Sequence, residues 1–222
     1  TYRLYVLRDD LQEAIVMNLH GTGRRMPGFV LASASPARAA LLRQIGLRFE
    51  VLPSRIREDD IDSEGPIDKA VSLSQAKAQH VAGSLTDKVI IAADTVVVLE
   101  EEILGKPENE DAAFGMLSLL SGCWHHVVTG VTVLDTYTGA SCSSHEVTGV
   151  RMKELSPRAI KAYVESGEPL GKAGAYAIQG RGGVFIESIE GCYFNVVGLP
   201  LAKLVNIFCD IGINIYDELF RR

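Results

Sequence analysis

Residues 89–99 read Val-Ile-Ile-Ala-Ala-Asp-Thr-Val-Val-Val-Leu, a nearly unbroken apolar run rich in valine and isoleucine, the mark of a strand covered on both faces. A strand of that kind belongs inside a sheet flanked by helices, so this run does most to place the chain in the α/β class. Asp94 breaks it. On the two-residue period of a strand, Asp94 shares a face with Ile90, Ala92, Val96 and Val98, where an ionised carboxylate without a partner is costly. Two readings account for it. One is a structural aspartate paired with a neighbouring lysine or backbone donor. The other is a cleft carboxylate that takes a proton from water, binds a divalent cation, or does both. Thr95 faces the opposite way, or turns into the cleft if the strand bulges.

The rest of the chain alternates strands and helices. A strand-like apolar run that ends at Leu31-Ala32 leads into a helix that Ser35 caps and Pro36 opens, with Gly46 at its far end. Leu47–Leu52 predicts a second strand, and 55–65 a charged loop. Ile67–Ala82 shows helical periodicity with Lys77 on the edge of its apolar stripe. A hairpin turn at 100–102 returns through Ile103 and Leu104. Asn109 caps a helix to Leu120, and Val127–Leu134 pairs with Ser144–Met152 around Tyr137-Thr138-Gly139. Ser156-Pro157 starts another helix, Val184–Ile189 and Tyr193–Val197 read as strands, and Leu199-Pro200 opens a final amphipathic helix. This order predicts a mixed sheet with flanking helices, bent by hairpins into two lobes with a central cleft.

Several side chains stand where chemistry needs them. The segment Ser33-Ala34-Ser35-Pro36-Ala37-Arg38 ends a strand in hydroxyls and opens a helix whose first-turn N–H groups attract anions. It fits a phosphate site, or an ordinary capped helix with a solvated arginine. Lys77 and Lys106 sit at margins of apolar elements, and Lys106 lies between a glycine and a proline that aim it. Lys172 adds a cation in a glycine-rich turn. The acidic loop Glu58, Asp59, Asp60 and Asp62 reads as solvated surface, with one member able to fold over a cleft and complete an oxygen shell for magnesium. Gly167-Glu-Pro-Leu-Gly171-Lys172-Ala173 imitates a Walker loop but lacks a spacer residue and the hydroxyl that binds magnesium. His125-His126 reads as packing at a helix exit.

Composition narrows the partners. A net charge of −6, without any long basic block, excludes a surface that tracks duplex nucleic acid, so a polyanion must be held by a few local cations. No apolar segment approaches the length of a membrane span. The four cysteines have neither zinc nor disulfide spacing, which places the expected address in the reducing cytoplasm. Residues 1–26 read as an N-terminal extension of unassigned role, and 27–222 as the folded domain.

Together these motifs resemble those of Maf-type nucleoside triphosphate pyrophosphatases. The match runs from Phe29 to near Leu204 through Ser33-x-Ser35-Pro36-x-Arg38, Lys77, Ala93-Asp94-Thr95, Gly105-Lys106-Pro107, Leu120-Ser-Gly122 with Thr129-Gly130, Gly167-Glu-Pro, Lys172-Ala-Gly174-x-Tyr176-x-Ile178-Gln179-Gly180 and Asn195-Val-Val-Gly-Leu-Pro200. The resemblance implies an elongated mixed sheet in two lobes, similar to inosine triphosphatases, in a homodimer. It implies hydrolysis of a nucleoside triphosphate between its α and β phosphates, with a divalent metal, magnesium or manganese. It makes Asp94 the proton acceptor, places Ser33, Arg38, Glu58, Lys77 and Lys106 around phosphate and metal, with Glu58 and Asp94 as the metal ligands, and links Thr95 and Gln179 to base choice. Ala-Asp-Thr with Ile-Gln-Gly resembles the branch acting on dTTP and UTP, not the one acting on 7-methyl-GTP. Two positions depart from the family: Ala37 replaces the first arginine of Ser-Pro-Arg-Arg, and Gly171 replaces an aspartate. They leave open the same chemistry on a modified or purine nucleotide, or a nucleotide-binding regulator without turnover.

Overall fold

The computed structural model describes residues 27–220, so the expectation for residues 1–26 lies outside the described residues. Strand β1 (Gly28–Leu31) leads into helix α1 (Pro36–Gln44), where the Ser35 hydroxyl accepts from Arg38 N at 3.4 Å and Pro36 occupies the first turn as its fixed φ allows. Strand β2 (Phe49–Val51) is shorter than its sequence pattern, and a single 3-10 turn (Glu58–Asp60) sits in the charged loop. Then come α2 (Pro66–Ala82), β3 (Lys88–Leu99), β4 (Glu102–Leu104), α3 (Glu110–Leu120), β5 (Trp124–Asp135), β6 (Ser141–Met152) and α4 (Pro157–Val164). Asn109 and Ser156 cap α3 and α4, accepting from Ala112 N at 2.8 Å and Ala159 N at 3.2 Å. After two 3-10 turns, β7 (Ile186–Glu190) and helices α5 (Tyr193–Val197), α6 (Leu201–Asp210) and α7 (Tyr216–Leu219) complete the order.

Three sequence expectations need correction. Tyr193–Val197 is helical, not a strand: Gly191 and Gly198 flank it at φ 125° and 119°, and the Gly198 N–H caps it by donating to Asn195 and Phe194 carbonyls. Five residues are too few for periodicity to separate helix from strand. Residues 181–185 form a 3-10 turn, so the strand there starts at Ile186. His125 and His126 lie inside β5, not at a helix exit.

The seven strands of the described residues form one sheet in the order β2-β1-β3-β5-β6-β7, with β4 also paired to β3. Strands β2 and β3 run parallel to β1, and the remaining pairs are antiparallel, giving the mixed α/β sheet expected. Its core divides along β3. Val89, Ile91 and Ala93 pack with α1 and α6, whereas Val97 packs with α3, α4 and Tyr176. On the opposite face, under α2, Ile90 and Ala92 belong to one apolar cluster and Val96 and Val98 to another. Asp94 and Thr95 therefore mark the division on both faces, and the two lobes meet there.

No helix among the described residues is long and apolar enough to cross a membrane.

Candidate active site

The cleft opens where β3 lacks a neighbour. Strand β1 pairs with β3 only as far as Leu31 opposite Ile91, and β4 starts pairing at Leu104 opposite Val97. Among the described strands, residues 92–96 are thus paired on one side only, to β5. The ladder to β5 continues without a break through Asp94–Gly130 and Thr95–Thr129, so Thr95 reaches the cleft without any bulge. The cleft measures about 720 Å³ and has both residues on its wall.

Helix α2 supplies the partner of Asp94. Gly130, opposite Asp94, lets α2 come so close that an added Cβ would lie 2.2 Å from the Ala70 carbonyl oxygen. Two turns further along α2, the Lys77 ammonium reaches Asp94 Oδ1 at 2.5 Å and Glu58 Oε1 at 2.7 Å. The pairing with a lysine weighed for Asp94 is therefore present, but it lies in the cleft and includes a second carboxylate. Glu58 of the acidic loop is on the cleft wall, and Lys69 of α2 fastens its turn by donating to the carbonyls of Glu58 at 3.3 Å and Ile61 at 2.5 Å. Lys106 approaches the other Glu58 oxygen at 3.5 Å. Burial raises the Glu58 carboxyl pKa, yet the hydrogen bond and charge of Lys77, with Lys106, outweigh it and hold the group below its ordinary range.

Arg38 also faces the cleft, but its guanidinium is largely occupied by protein. It donates to the Gly198 carbonyl at 2.8 Å, to Ser33 Oγ at 3.0 Å and to Thr95 Oγ1 at 2.9 Å, tying α1 to β3 and to the end of α5. Burial lowers its pKa, with Asp94 and Glu58 pulling the other way. Lys172 and Gln179 line the rim and are exposed. Gly171, at φ 74° with open space where a Cβ would go, makes a left-handed turn that suits glycine, so the carboxylate missing here leaves no gap in packing.

All nine side chains singled out in the sequence (Ser33, Arg38, Glu58, Lys77, Asp94, Thr95, Lys106, Lys172 and Gln179) line this one cleft. Its ionised groups are four cations and two carboxylates, a local positive excess in a chain of net charge −6. No wall role was assigned from sequence to the apolar side chains that line the same cleft, Val97, Val127, Tyr176, Ile178 and Val196, although Tyr176, Ile178 and Val196 fall within the motifs. The spacing of Tyr176 and Ile178 about a small alanine, next to Gln179, was the available signal. The cleft thus offers cations for an oxyanion chain and apolar surface for a flat ring.

Behind Tyr176 lies His125, fully buried, its Nε2 2.8 Å from the Tyr176 hydroxyl and its Nδ1 without a partner. Burial, with a small push from His126, lowers its pKa from 6.5 to about 4. The unfolded chain protonates His125 below pH 6.5 and the folded chain only below about pH 4. In that window the unfolded state binds the extra proton, so stability falls as pH falls, by about 3 kcal/mol across the whole window. His125→Gln, which keeps a donor toward Tyr176, should flatten this part of the profile in urea unfolding at pH 7 and 4.5. Parallel profiles for the two proteins would remove His125 as the source.

A model of the family described as Maf-like protein matches residues 28–211. The dTTP/UTP pyrophosphatase of Ruminiclostridium cellulolyticum is 48% identical over 183 residues, 82% of this chain and 95% of that protein. Those of Moorella thermoacetica and Carboxydothermus hydrogenoformans are 47% and 49% identical, covering 87% and 78% of this chain and 100% and 93% of their own. Among solved structures, a HAM1 protein from Coxiella burnetii is similar at 17% identity and a TM-score of 0.41, over 57% of this chain and 73% of that chain.

Proposed function

Because the chain belongs to the Maf-like protein family, we propose that it is a nucleoside triphosphate pyrophosphatase that cleaves dTTP and UTP between the α and β phosphates. The observation that carries this reading is that one cleft holds both an ionic cluster, in which two carboxylates share one ammonium, and the apolar side chains of Val127, Tyr176 and Ile178. In this reading the triphosphate lies among Lys77, Lys106, Lys172 and the first turn of α1. The base lies against the apolar wall, with Gln179 and Thr95 at its edges. Asp94 takes a proton from the attacking water as the water oxygen bonds to phosphorus. The anhydride P–O bond breaks, its electrons leave with the bridging oxygen, and monophosphate and pyrophosphate result. Arg38 shapes the wall and adds positive charge, a positioning role that its three bonds to protein support.

Glu58 and Asp94 form an oxygen-only pair that fits magnesium or manganese, ions that take one or two carboxylates plus substrate phosphate oxygens. Such an ion would neutralise phosphate charge and make a bound water more acidic. The same reading includes a homodimer, carried from the family resemblance and testable by solution mass, and a cytoplasmic address, which the four free cysteines support.

Pyrophosphate release from dTTP, UTP, CTP, GTP and 7-methyl-GTP tests the proposal, with dTTP and UTP expected to be the best substrates. Binding without release, or preference for a purine, would overturn it. Gln179→Ala should reduce the preference for dTTP over GTP by about 10-fold, the scale of one lost polar contact in a specificity pocket. Its rate on the best substrate should change less. Equal losses on both nucleotides would take Gln179 out of base choice.

A further inference from the structure

We propose that Lys77 keeps Glu58 and Asp94 closed to a free divalent cation, and that a nucleotide's triphosphate opens the pair by drawing the ammonium onto its own oxygens. This rests on the pyrophosphatase reading. The Lys77 nitrogen lies 2.5 Å from Asp94 Oδ1 and 2.7 Å from Glu58 Oε1, and the second Glu58 oxygen faces Lys106 at 3.5 Å. Two carboxylates are thus balanced by two ammonium groups. The Lys77 and Asp94 side chains are only 11% and 9% exposed, so their charges are poorly screened by water. Prising the carboxylates away for a cation would leave the Lys77 charge buried without its counter-ions, a costly state.

A triphosphate changes that balance. It brings excess negative charge and new acceptors beside the same ammonium, so Lys77 exchanges one set of oxygens for another without being stranded. The lysine stem permits this, since its ammonium can swing while α2 stays packed. Among the described residues no cluster of three or more His, Cys, Asp or Glu side chains could hold an ion, so an ion at the carboxylate pair fills the rest of its shell with water or phosphate oxygens. Asp94 is likewise capped in the free protein and becomes available as a base once the cap moves to substrate.

The test is titration of the nucleotide-free full chain with Mn²⁺, read by loss of the free-ion EPR signal. Lys77→Met should bind Mn²⁺ at least about 10-fold more tightly than wild type, a coupling of ordinary size, while Lys77→Arg should exclude it as wild type does. Equal affinity in wild type and Lys77→Met would overturn the proposal. A second reading uses wild type alone, so that a folding defect in the variant does not decide the matter. The ¹⁵N resonance of the Lys77 ammonium should shift on adding α,β-imido-dUTP and stay in place with Mg²⁺ alone. A shift with Mg²⁺ alone would overturn the proposal. Neither reading uses turnover, so failure here is distinct from failure of the nucleotide panel.

Discussion

Replacing Asp94 with Asn should lower kcat by about 10²-fold or more at saturating metal, the scale of a lost general base, while nucleotide KM stays level or falls. The amide oxygen can still accept from Lys77, and Glu58 at 2.7 Å still balances that ammonium, so the local structure keeps its anchors. What disappears is a negative charge and a proton acceptor. At saturating metal, with Glu58 still present as a carboxylate for the ion, the relief of repulsion toward the triphosphate is expected to preserve nucleotide binding, and this separates a chemical role from a structural one. A purely structural aspartate predicts the reverse, with reduced thermal stability and intact turnover. Near-wild-type kcat in Asp94→Asn would therefore remove Asp94 from the mechanism and leave it as the partner of Lys77.

Asp94 was legible because it interrupts a run that otherwise matches a buried strand, and the end signals at Ser35, Asn109 and Ser156 were legible because helix caps are local. What makes Asp94 accessible was not. The opening between the last β1 pair and the first β4 pair depends on register between distant segments, which no window of sequence contains. Composition and spacing did not tell Glu58 from its acidic neighbours, and the family resemblance alone named it, for a similar reason: its placement comes from Lys69, a residue of the next helix, gripping its backbone. Arg38 carried a signal that pointed partly elsewhere. Position and charge made it a phosphate contact, whereas a bond to Gly198, 160 residues away, makes it part of the wall. The apolar wall went unread because valines in strands look the same whether they meet a helix or a cleft.

Gly130→Ala is expected to be the most damaging single methyl in this protein, because the atoms it meets belong to backbone. The added Cβ would lie 2.2 Å from the Ala70 oxygen, 2.3 Å from the Ala70 carbonyl carbon and 2.6 Å from the Val71 nitrogen. No side-chain rotation relieves such a contact. Either α2 lifts from the sheet along its 17 residues, or β5 bends away from β3 at the pair that holds Asp94. Overpacking of this kind costs about 3–5 kcal/mol, the upper part of the range for single substitutions, and should lower Tm by about 10 °C. Activity should fall further than stability alone explains, since Lys77 rides on the displaced helix and an error of about 1 Å in a positioning group can cost about 10²-fold. Gly115→Ala is the matched control: it lies in α3, has open space where its Cβ would go, and should stabilise by roughly 0.5–1 kcal/mol through helix propensity. Urea unfolding of both variants, with kcat/KM measured well below each Tm, reads the two effects separately. Wild-type stability in Gly130→Ala would mean that α2 yields freely, and that the contact at Gly130 does not hold Lys77 against its two carboxylates.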